Sequence, residues 1–190
     1  MRYTTADDII TVDLDGKKTA GREGLDPSME VFIHTWLYRT RPEVNAVLHT
    51  HPATVVLFTI CDKPLLPLFG AFDPSCLRLY AQGIDTYPKS VLIANNHLGQ
   101  ELAACMKGPA CLMKGHGITT CGPTVEAAVL TAIKLNELAE MNYRANLLGG
   151  AQPISANELA EFTAMSQATD VYDAPMWRYY CKLLGEEVMV

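Results

Sequence analysis

Two histidines separated by one residue, His49 and His51, have a spacing that could support chemistry. Alternate residues of a β-strand point to the same face, so both imidazoles could bind one metal ion if residues 44–51 form a strand. A catalytic zinc site takes three protein ligands and leaves one position open for substrate. The pair by itself is equally compatible with two incidental histidines on a half-exposed strand.

A third nitrogen ligand must come from elsewhere in the chain, and His116 is the best candidate. It lies between Gly115 and Gly117, just after a run of apolar residues that predicts a buried strand. Flanking glycines allow a sharp turn and leave room around the ring. Three histidines without cysteine suit zinc, manganese, iron or cobalt. His34 falls in an apolar helix and is interpreted as a core histidine, and His97 falls in a predicted loop.

Glu30 is the candidate acid or base. It lies in the first turn of a helix predicted over 29–38, on the face that continues through Ile33, His34 and Leu37 and should contact the core. A carboxylate on such a face needs a partner, which a metal ion or its bound water would provide. A plain role at the helix start, where the helix dipole favours a carboxylate, is the alternative.

The elements that must position these residues alternate between strands and helices, which predicts an α/β fold with one central sheet. Apolar periodicity and turn residues predict strands over 9–14, 44–51, 91–94 and 110–113. The same signals predict helices over 29–38, 52–59, 98–106, 124–148, 156–166 and 175–184. We interpret 1–190 as one domain that ends in a helical tail over 151–190.

Composition excludes several classes of function. The net charge is −6 and the 15 Lys and Arg residues are scattered, so we expect no nucleic-acid partner. The apolar runs are too short to cross a bilayer, and the first residues lack the apolar stretch of a secretory signal. The six cysteines are irregularly spaced and form no CxxC motif. These features predict a cytoplasmic protein that acts on a small molecule.

Several spaced motifs over residues 5–150 resemble the class II aldolase and adducin family. They are Ser28-x-Glu30-x-x-x-His34, Arg41-Pro42-x-Val44, His49-Thr50-His51-Pro52 and Gly115-His116-Gly117 with Gly122 and Glu126. The resemblance implies a three-layer α/β/α sandwich around a mostly antiparallel sheet, and a homotetramer with active sites between subunits. It also implies one divalent ion per subunit on His49, His51 and His116, with Zn²⁺ the first choice and Mn²⁺, Fe²⁺, Co²⁺ or Mg²⁺ as alternatives. Glu30 is then the acid/base residue.

Departures from the family pattern point to the type of reaction. The sugar-phosphate aldolases of the family have an early Gly-Asn-x-Ser loop, which this sequence does not show, so the usual amino-terminal segment is apparently lacking. Their paired serines are Ser28-Met29 here, and their proton-donating tyrosine would fall near 69–71, which has no hydroxyl. Relatives that act on unphosphorylated hydroxy acids decarboxylate them. We therefore favour decarboxylation of a hydroxylated aromatic or related hydroxy or oxo acid. Retro-aldol cleavage of a sugar or its phosphate, or phosphopentose 4-epimerisation, is the alternative.

Four further residues are candidates for binding the substrate: Ser28, Lys114, Arg78 and Tyr80. A cation such as Lys114 or Arg78 could orient an anionic substrate without a phosphate loop, although Lys114 could also be a solvated surface residue. Tyr80 could replace the missing tyrosine hydroxyl. The aromatic residues Trp177, Tyr179 and Tyr180 would suit an aromatic substrate or the protein core. A non-catalytic, adducin-like role is disfavoured because all three histidines and Glu30 are present.

Overall fold

A mixed four-stranded sheet lies at the centre of the protein. The structure is a computed structural model, and it describes residues 4–68, 72–165 and 173–185. Two short strands, β1 and β2, form a separate antiparallel pair before it. The strands in chain order are β1 (Thr11–Val12), β2 (Lys18–Ala20), β3 (Ala46–Thr50), β4 (Ile84–Tyr87), β5 (Ala110–Met113) and β6 (Gly117–Gly122). The central sheet has the order β3-β6-β5-β4. Its pairs are antiparallel except for β4 and β5, which are parallel, so the sheet is mixed rather than simply antiparallel.

Helices cover both faces of this sheet, which gives the three α/β/α layers. They are α1 (Val31–Thr40), α2 (Ala53–Ile60), α3 (Pro74–Gln82), α4 (Asn96–Cys105), α5 (Val125–Leu147), α6 (Ala156–Met165) and α7 (Asp173–Leu183). The cores on the two faces show that α1 and α4 share one face, whereas α2, α3 and α5 share the other. None of the helices in the described part of the chain is both long enough and apolar enough to span a membrane.

Strand β5 shows why the chain forms a sheet covered on both sides. All four of its residues are buried. Ala110 and Leu112 pack into the core beneath α2, α3 and α5, whereas Cys111 and Met113 pack into the core beneath α1 and α4. A continuous apolar run of this length is typical of a strand buried on both faces. Its neighbour β6 is buried over five of its six positions.

The main elements predicted from the sequence are present, with boundaries shifted by a few residues. Strand β2, helix α3, strand β4 and strand β6 were not predicted. Helix α3 nevertheless has a clear start signal: Pro74 is in the first turn, and the Asp73 carboxylate accepts from the N–H groups of Ser75 and Cys76 at 3.0 and 3.1 Å. The acceptor side chain and the proline together stabilise the start of the helix.

The predicted strand over 91–94 is wrong. This segment is irregular, and its Ile93 N–H donates to the Glu30 carboxylate at 3.0 Å rather than to a neighbouring strand. A backbone donor that is used by a side chain cannot also extend a sheet ladder. The contact with the Glu30 carboxylate therefore makes this N–H unavailable to a sheet, although the sequence is apolar and β-favouring.

Helix α1 is placed by close packing against α4. Gly99 is the contact residue: a Cβ atom at this position would lie 2.5 Å from Trp36 Cδ1 and 2.7 Å from the Phe32 carbonyl oxygen. The two helices can approach this closely only because Gly99 lacks a side chain. Since Glu30 immediately precedes α1, this contact helps to fix the position of its carboxylate.

We expect Gly99→Val to destabilise the fold by about 1–3 kcal/mol, because the added side chain overlaps the backbone of α1. Gln100→Val is the matched control, since it places the same β-branched residue at an exposed neighbouring position of the same helix. Urea unfolding of both variants measures the difference. Equal stability of the two variants would show that α1 and α4 can separate without cost.

Candidate metal centre

Strands β3 and β6 bring the three candidate histidines together. In their antiparallel pairing, Thr50 lies opposite Ile118 and His49 lies opposite Thr119. His51 directly follows β3, and His116 directly precedes β6. The register therefore places all three imidazoles at one end of the sheet, although they are up to 67 residues apart in the chain.

The four candidate groups converge on one point. Ligand atoms of Glu30, His49, His51 and His116 all lie within 4.8 Å of one another. The Nε2 atoms of His49 and His51 are 2.9 Å apart, and Glu30 Oε2 lies 3.4 Å from Nε2 of both His49 and His116. The ring centroids are 4.8–4.9 Å apart.

A backbone contact determines the tautomer of His49. Its Nδ1 is 2.9 Å from the carbonyl oxygen of Ile118. A carbonyl can only accept, so Nδ1 carries the proton and the lone pair of Nε2 points towards the other histidines. Burial is the largest influence on this ring and lowers the pKa of His49, although the nearby Glu30 carboxylate opposes the shift. The neutral imidazole is the form that binds a metal ion.

The Glu30 carboxylate is oriented by two different contacts. Oε1 accepts the Ile93 N–H at 3.0 Å, and Oε2 faces the histidines. Ser28 Oγ accepts the Glu30 N–H at 3.2 Å and so fixes the backbone just before α1. One oxygen is therefore held by the protein while the other is available to a metal ion, a bound water or a substrate hydroxyl.

The turn that carries His116 is held on both sides. The Gly115 N–H donates to Thr59 Oγ1 at 2.9 Å, and Ser90 Oγ donates to the Lys114 carbonyl at 2.8 Å. Gly117 leaves space for a ligand: a Cβ atom there would lie 2.5 Å from His51 Cδ2. The glycine is required by the close approach of the His51 ring.

These residues fit a divalent metal ion. Both ring nitrogens of His116 are buried and make no hydrogen bond within the described chain, an arrangement that costs free energy unless another group binds them. If two nitrogens each lie about 2.0–2.1 Å from one ion and the nitrogen–metal–nitrogen angle is about 90–109°, the two nitrogens are roughly 2.9–3.4 Å apart. The spacing of His49 and His51 agrees with this. His51 is exposed, so a metal ion here would be open to substrate on that side.

The other predicted substrate-binding residues occupy different places. Ser28 lies next to the histidine cluster, because its Oγ accepts the N–H of Glu30. Lys114 and Tyr80 both line a cavity of about 540 Å³ under the His116 turn. Arg78 lines a separate cavity that also includes Gly122, at the opposite end of β6. The structure therefore brings Ser28 to the cluster and places Arg78 at the far end of the sheet.

Two residues that support the centre were missed by sequence reasoning. Thr59 and Ser90 have no motif of their own, and their roles appear only when distant parts of the chain meet. His34 lies outside the cluster, and burial lowers the pKa of its ring. His97 is exposed on α4, 3.4 Å from Glu101. The aromatic Tyr180 donates to Glu137 on α5 at 3.1 Å, away from the histidines.

Known proteins that are similar to this chain in sequence include both decarboxylases and aldolases. The 3,4-dihydroxyphthalate decarboxylase of Arthrobacter keyseri is 36% identical over 184 residues, which are 94% of this chain and 73% of that protein. The L-fuculose phosphate aldolase of Methanococcus vannielii is 31% identical over 146 residues, 75% of this chain and 73% of that protein. This chain thus spans about three quarters of the length of each.

The fold is that of solved aldolase structures. An aldolase II superfamily protein from Pseudomonas syringae superimposes with a TM-score of 0.80 and 22% identity, over 95% of this chain and 72% of that chain. The profile of the family described as "Class II Aldolase and Adducin N-terminal domain" matches residues 1–143. That range contains Glu30 and the three histidines. The chain therefore belongs to the class II aldolase and adducin family.

Proposed function

We propose that this protein is a divalent-metal-dependent carbon–carbon lyase that decarboxylates a hydroxylated aromatic carboxylic acid. The observation that carries the proposal is the convergence of three histidines and Glu30 on one partly open site. Similarity to a 3,4-dihydroxyphthalate decarboxylase over 94% of the chain supports this substrate class. Zn²⁺ is the metal we propose, because nitrogen ligands in a three-histidine site suit it.

His49, His51 and His116 would hold the ion, whose Lewis acidity would polarise substrate oxygens next to the bond that breaks. Loss of carbon dioxide leaves an electron pair on a ring carbon, which must take up a proton. Glu30 Oε2 faces the cluster and can take a proton from a substrate hydroxyl and return it to that carbon. The Ile93 N–H keeps the carboxylate in this orientation throughout.

Retro-aldol cleavage of a sugar phosphate is the second candidate, and similarity to an L-fuculose phosphate aldolase favours it. Both reactions break a carbon–carbon bond and leave an electron pair next to a polarised oxygen. They differ in what must bind the remainder of the substrate. Ser28 Oγ is the one hydroxyl of the aldolases' serine pair that this chain retains, and it already accepts the Glu30 N–H. Decarboxylation requires no phosphate group to be held.

We also propose a cytoplasmic homotetramer with active sites between subunits. Six free cysteines suit a reducing compartment. Three large apolar side chains near the centre are exposed in the single chain, which suits a subunit interface: Leu57 at 46%, Ile60 at 60% and Leu92 at 53% exposure. Ile60 lies close to the turn that carries His116, because its Cγ1 is 3.9 Å from where a Cβ atom added to Gly115 would be.

The metal site predicts that His116→Ala protein retains much less than one ion per chain, because each lost ligand removes a substantial part of the binding free energy. His97→Ala removes an exposed histidine outside the cluster and should keep full occupancy. Elemental analysis of both purified variants measures the difference. Full occupancy in His116→Ala would contradict the proposed ligand set.

The acid/base role predicts that Glu30→Gln lowers turnover by roughly 10²–10⁴-fold while the metal stays bound. Glutamine keeps the shape and the contact with the Ile93 N–H but cannot move a proton. Glu161→Gln changes an exposed glutamate on α6 and should leave turnover unchanged. Steady-state rates and metal content of the two variants test the role, which full activity of Glu30→Gln would rule out.

The reaction class predicts metal-dependent release of carbon dioxide from hydroxylated aromatic acids, with 3,4-dihydroxyphthalate first in the panel. Fuculose, rhamnulose and ribulose phosphates should react poorly. Chelation should abolish the reaction and added divalent metal should restore it. Efficient cleavage or epimerisation of one of these phosphates, without carbon dioxide from any acid, would replace decarboxylation by the alternative.

A further inference from the structure

His116 differs from His49 in what orients its ring. His49 Nδ1 contacts the Ile118 carbonyl at 2.9 Å, whereas both ring nitrogens of His116 are buried and form no hydrogen bond with the described residues. A histidine that binds a metal ion usually has a hydrogen-bond partner on its second ring nitrogen, and this partner fixes the orientation of the ring. The direction of the His116 side chain therefore depends more strongly on the backbone that carries it.

The backbone before His116 forms a β-turn over residues 113–116. The His116 N–H donates to the Met113 carbonyl at 3.0 Å and closes the turn. Gly115, the third residue, has a φ of +61°, whereas Lys114, the second, is not among the described residues with a positive φ. A type II turn requires this combination, and its central peptide is rotated by about 180° relative to that of a type I turn. The orientation of the Lys114–Gly115 peptide thus sets the direction in which the chain enters His116.

Two hydroxyl groups from distant parts of the chain bind this central peptide at both of its ends. Ser90 Oγ donates to the Lys114 carbonyl at 2.8 Å, and Thr59 Oγ1 accepts the Gly115 N–H at 2.9 Å. The carbonyl and the N–H belong to one peptide unit and point in opposite directions. Rotation of this unit into the type I orientation would turn both groups away from their partners and break both hydrogen bonds. The two contacts therefore favour the type II turn.

The Thr59 hydroxyl is well suited to accept from the turn. Thr59 is 7% exposed, and its own proton goes to the Val56 carbonyl at 2.7 Å. A hydroxyl has one proton and two lone pairs, so this donation leaves a lone pair for the Gly115 N–H. Thr59 lies on α2, which begins two residues after His51. The same hydroxyl therefore connects the helix that follows His51 to the turn that precedes His116.

Ser90 connects the turn to the segment that holds Glu30. It lies after β4 and three residues before Ile93, whose N–H donates to Glu30 Oε1 at 3.0 Å. The peptide before His116 is thus bound on one side by the segment that orients Glu30 and on the other by the helix that follows His51. Its position is coupled to that of the other members of the cluster.

We propose that Thr59 and Ser90 are positioning residues, which hold the Lys114–Gly115 peptide in the type II orientation and thereby place the His116 imidazole against the other ligands. This inference rests on the proposed metal site. Neither hydroxyl is one of the ligand groups of the cluster, and each acts through the backbone next to His116. Loss of a residue that orients a metal ligand lowers metal affinity by roughly 10–100-fold. An effect that passes through the backbone should lie near the lower end of this range.

The affinity for Zn²⁺, measured by competition with a chromogenic chelator, tests the two hydroxyls. Thr59→Val keeps the shape of the side chain but cannot accept the Gly115 N–H, and Ser90→Ala cannot donate to the Lys114 carbonyl. We expect the dissociation constant to rise about tenfold in each variant. Thr59→Ser retains the hydroxyl and should keep the wild-type affinity.

Thr131→Val is the matched control for Thr59→Val. The Thr131 hydroxyl also donates to a backbone carbonyl, that of Ala127 at 2.7 Å, but it lies on α5 and outside the histidine cluster. This variant should bind Zn²⁺ as tightly as the wild type. The absorption spectrum of Co²⁺-loaded protein reports the geometry around the ion, and it should change in Thr59→Val but not in Thr131→Val.

Ser90→Ala separates positioning from a general loss of structure, because Ser90 is exposed. Urea unfolding of this variant without metal should resemble that of the metal-free wild type, and the variant still tests the proposal if Thr59→Val fails to fold. Wild-type Zn²⁺ affinity and an unchanged Co²⁺ spectrum in Ser90→Ala and Thr59→Val would overturn the positioning role and leave the metal site intact. Failure of the wild-type protein to bind Zn²⁺ would overturn both.

Discussion

The register of β3 against β6 is the constraint on which the functional site depends. Pairing of Thr50 with Ile118 places the two histidines at the end of β3 beside His116, which precedes β6. A shift of one residue would turn the side chains of β3 to the other face of the sheet. The buried sequence of β6 and the apolar alternation of β3 maintain the register, because Leu48 packs into one core and Val47 into the other. Packing of the whole sheet thus determines the geometry of the three candidate ligands.

The fourth member of the cluster depends on a different part of the fold. Glu30 approaches from α1, whose position depends on the glycine contact with α4, and its carboxylate is held by the Ile93 N–H. The segment around Ser90 therefore contacts both parts of the site: Ser90 binds the turn of His116 and Ile93 binds Glu30. The Ile93 N–H is not free to extend the sheet, because it donates to the Glu30 carboxylate.

Sequence reasoning predicted the parts of this protein that follow from local patterns. The alternation around His49 and His51 predicted β3, and the apolar run of residues 110–113 predicted β5. The chemistry of the residue types singled out Glu30 and His116, which the structure brings together. The contacts of Thr59 and Ser90 could not be predicted, because they connect residues that are 56 and 24 positions apart and neither hydroxyl lies in a recognisable motif.

The two cations that sequence reasoning proposed for substrate binding lie near opposite ends of β6. From sequence alone, both Arg78 and Lys114 were candidates for orienting an anionic substrate, and Lys114 was the nearer one because it lies two residues before His116. In the structure Lys114 lies in the turn that carries His116, whereas Arg78 faces a cavity beyond the other end of β6. A cation can orient a substrate on the metal only if both contact the same molecule. The five residue steps from Gly117 to Gly122 in β6, at about 3.3 Å each, separate the two ends by roughly 17 Å, which exceeds the span of a dihydroxylated benzoic acid. Arg78 is therefore too far from the histidines to contact the same small molecule, whereas Lys114 is two residues from His116 in the chain and lines the neighbouring cavity with Tyr80.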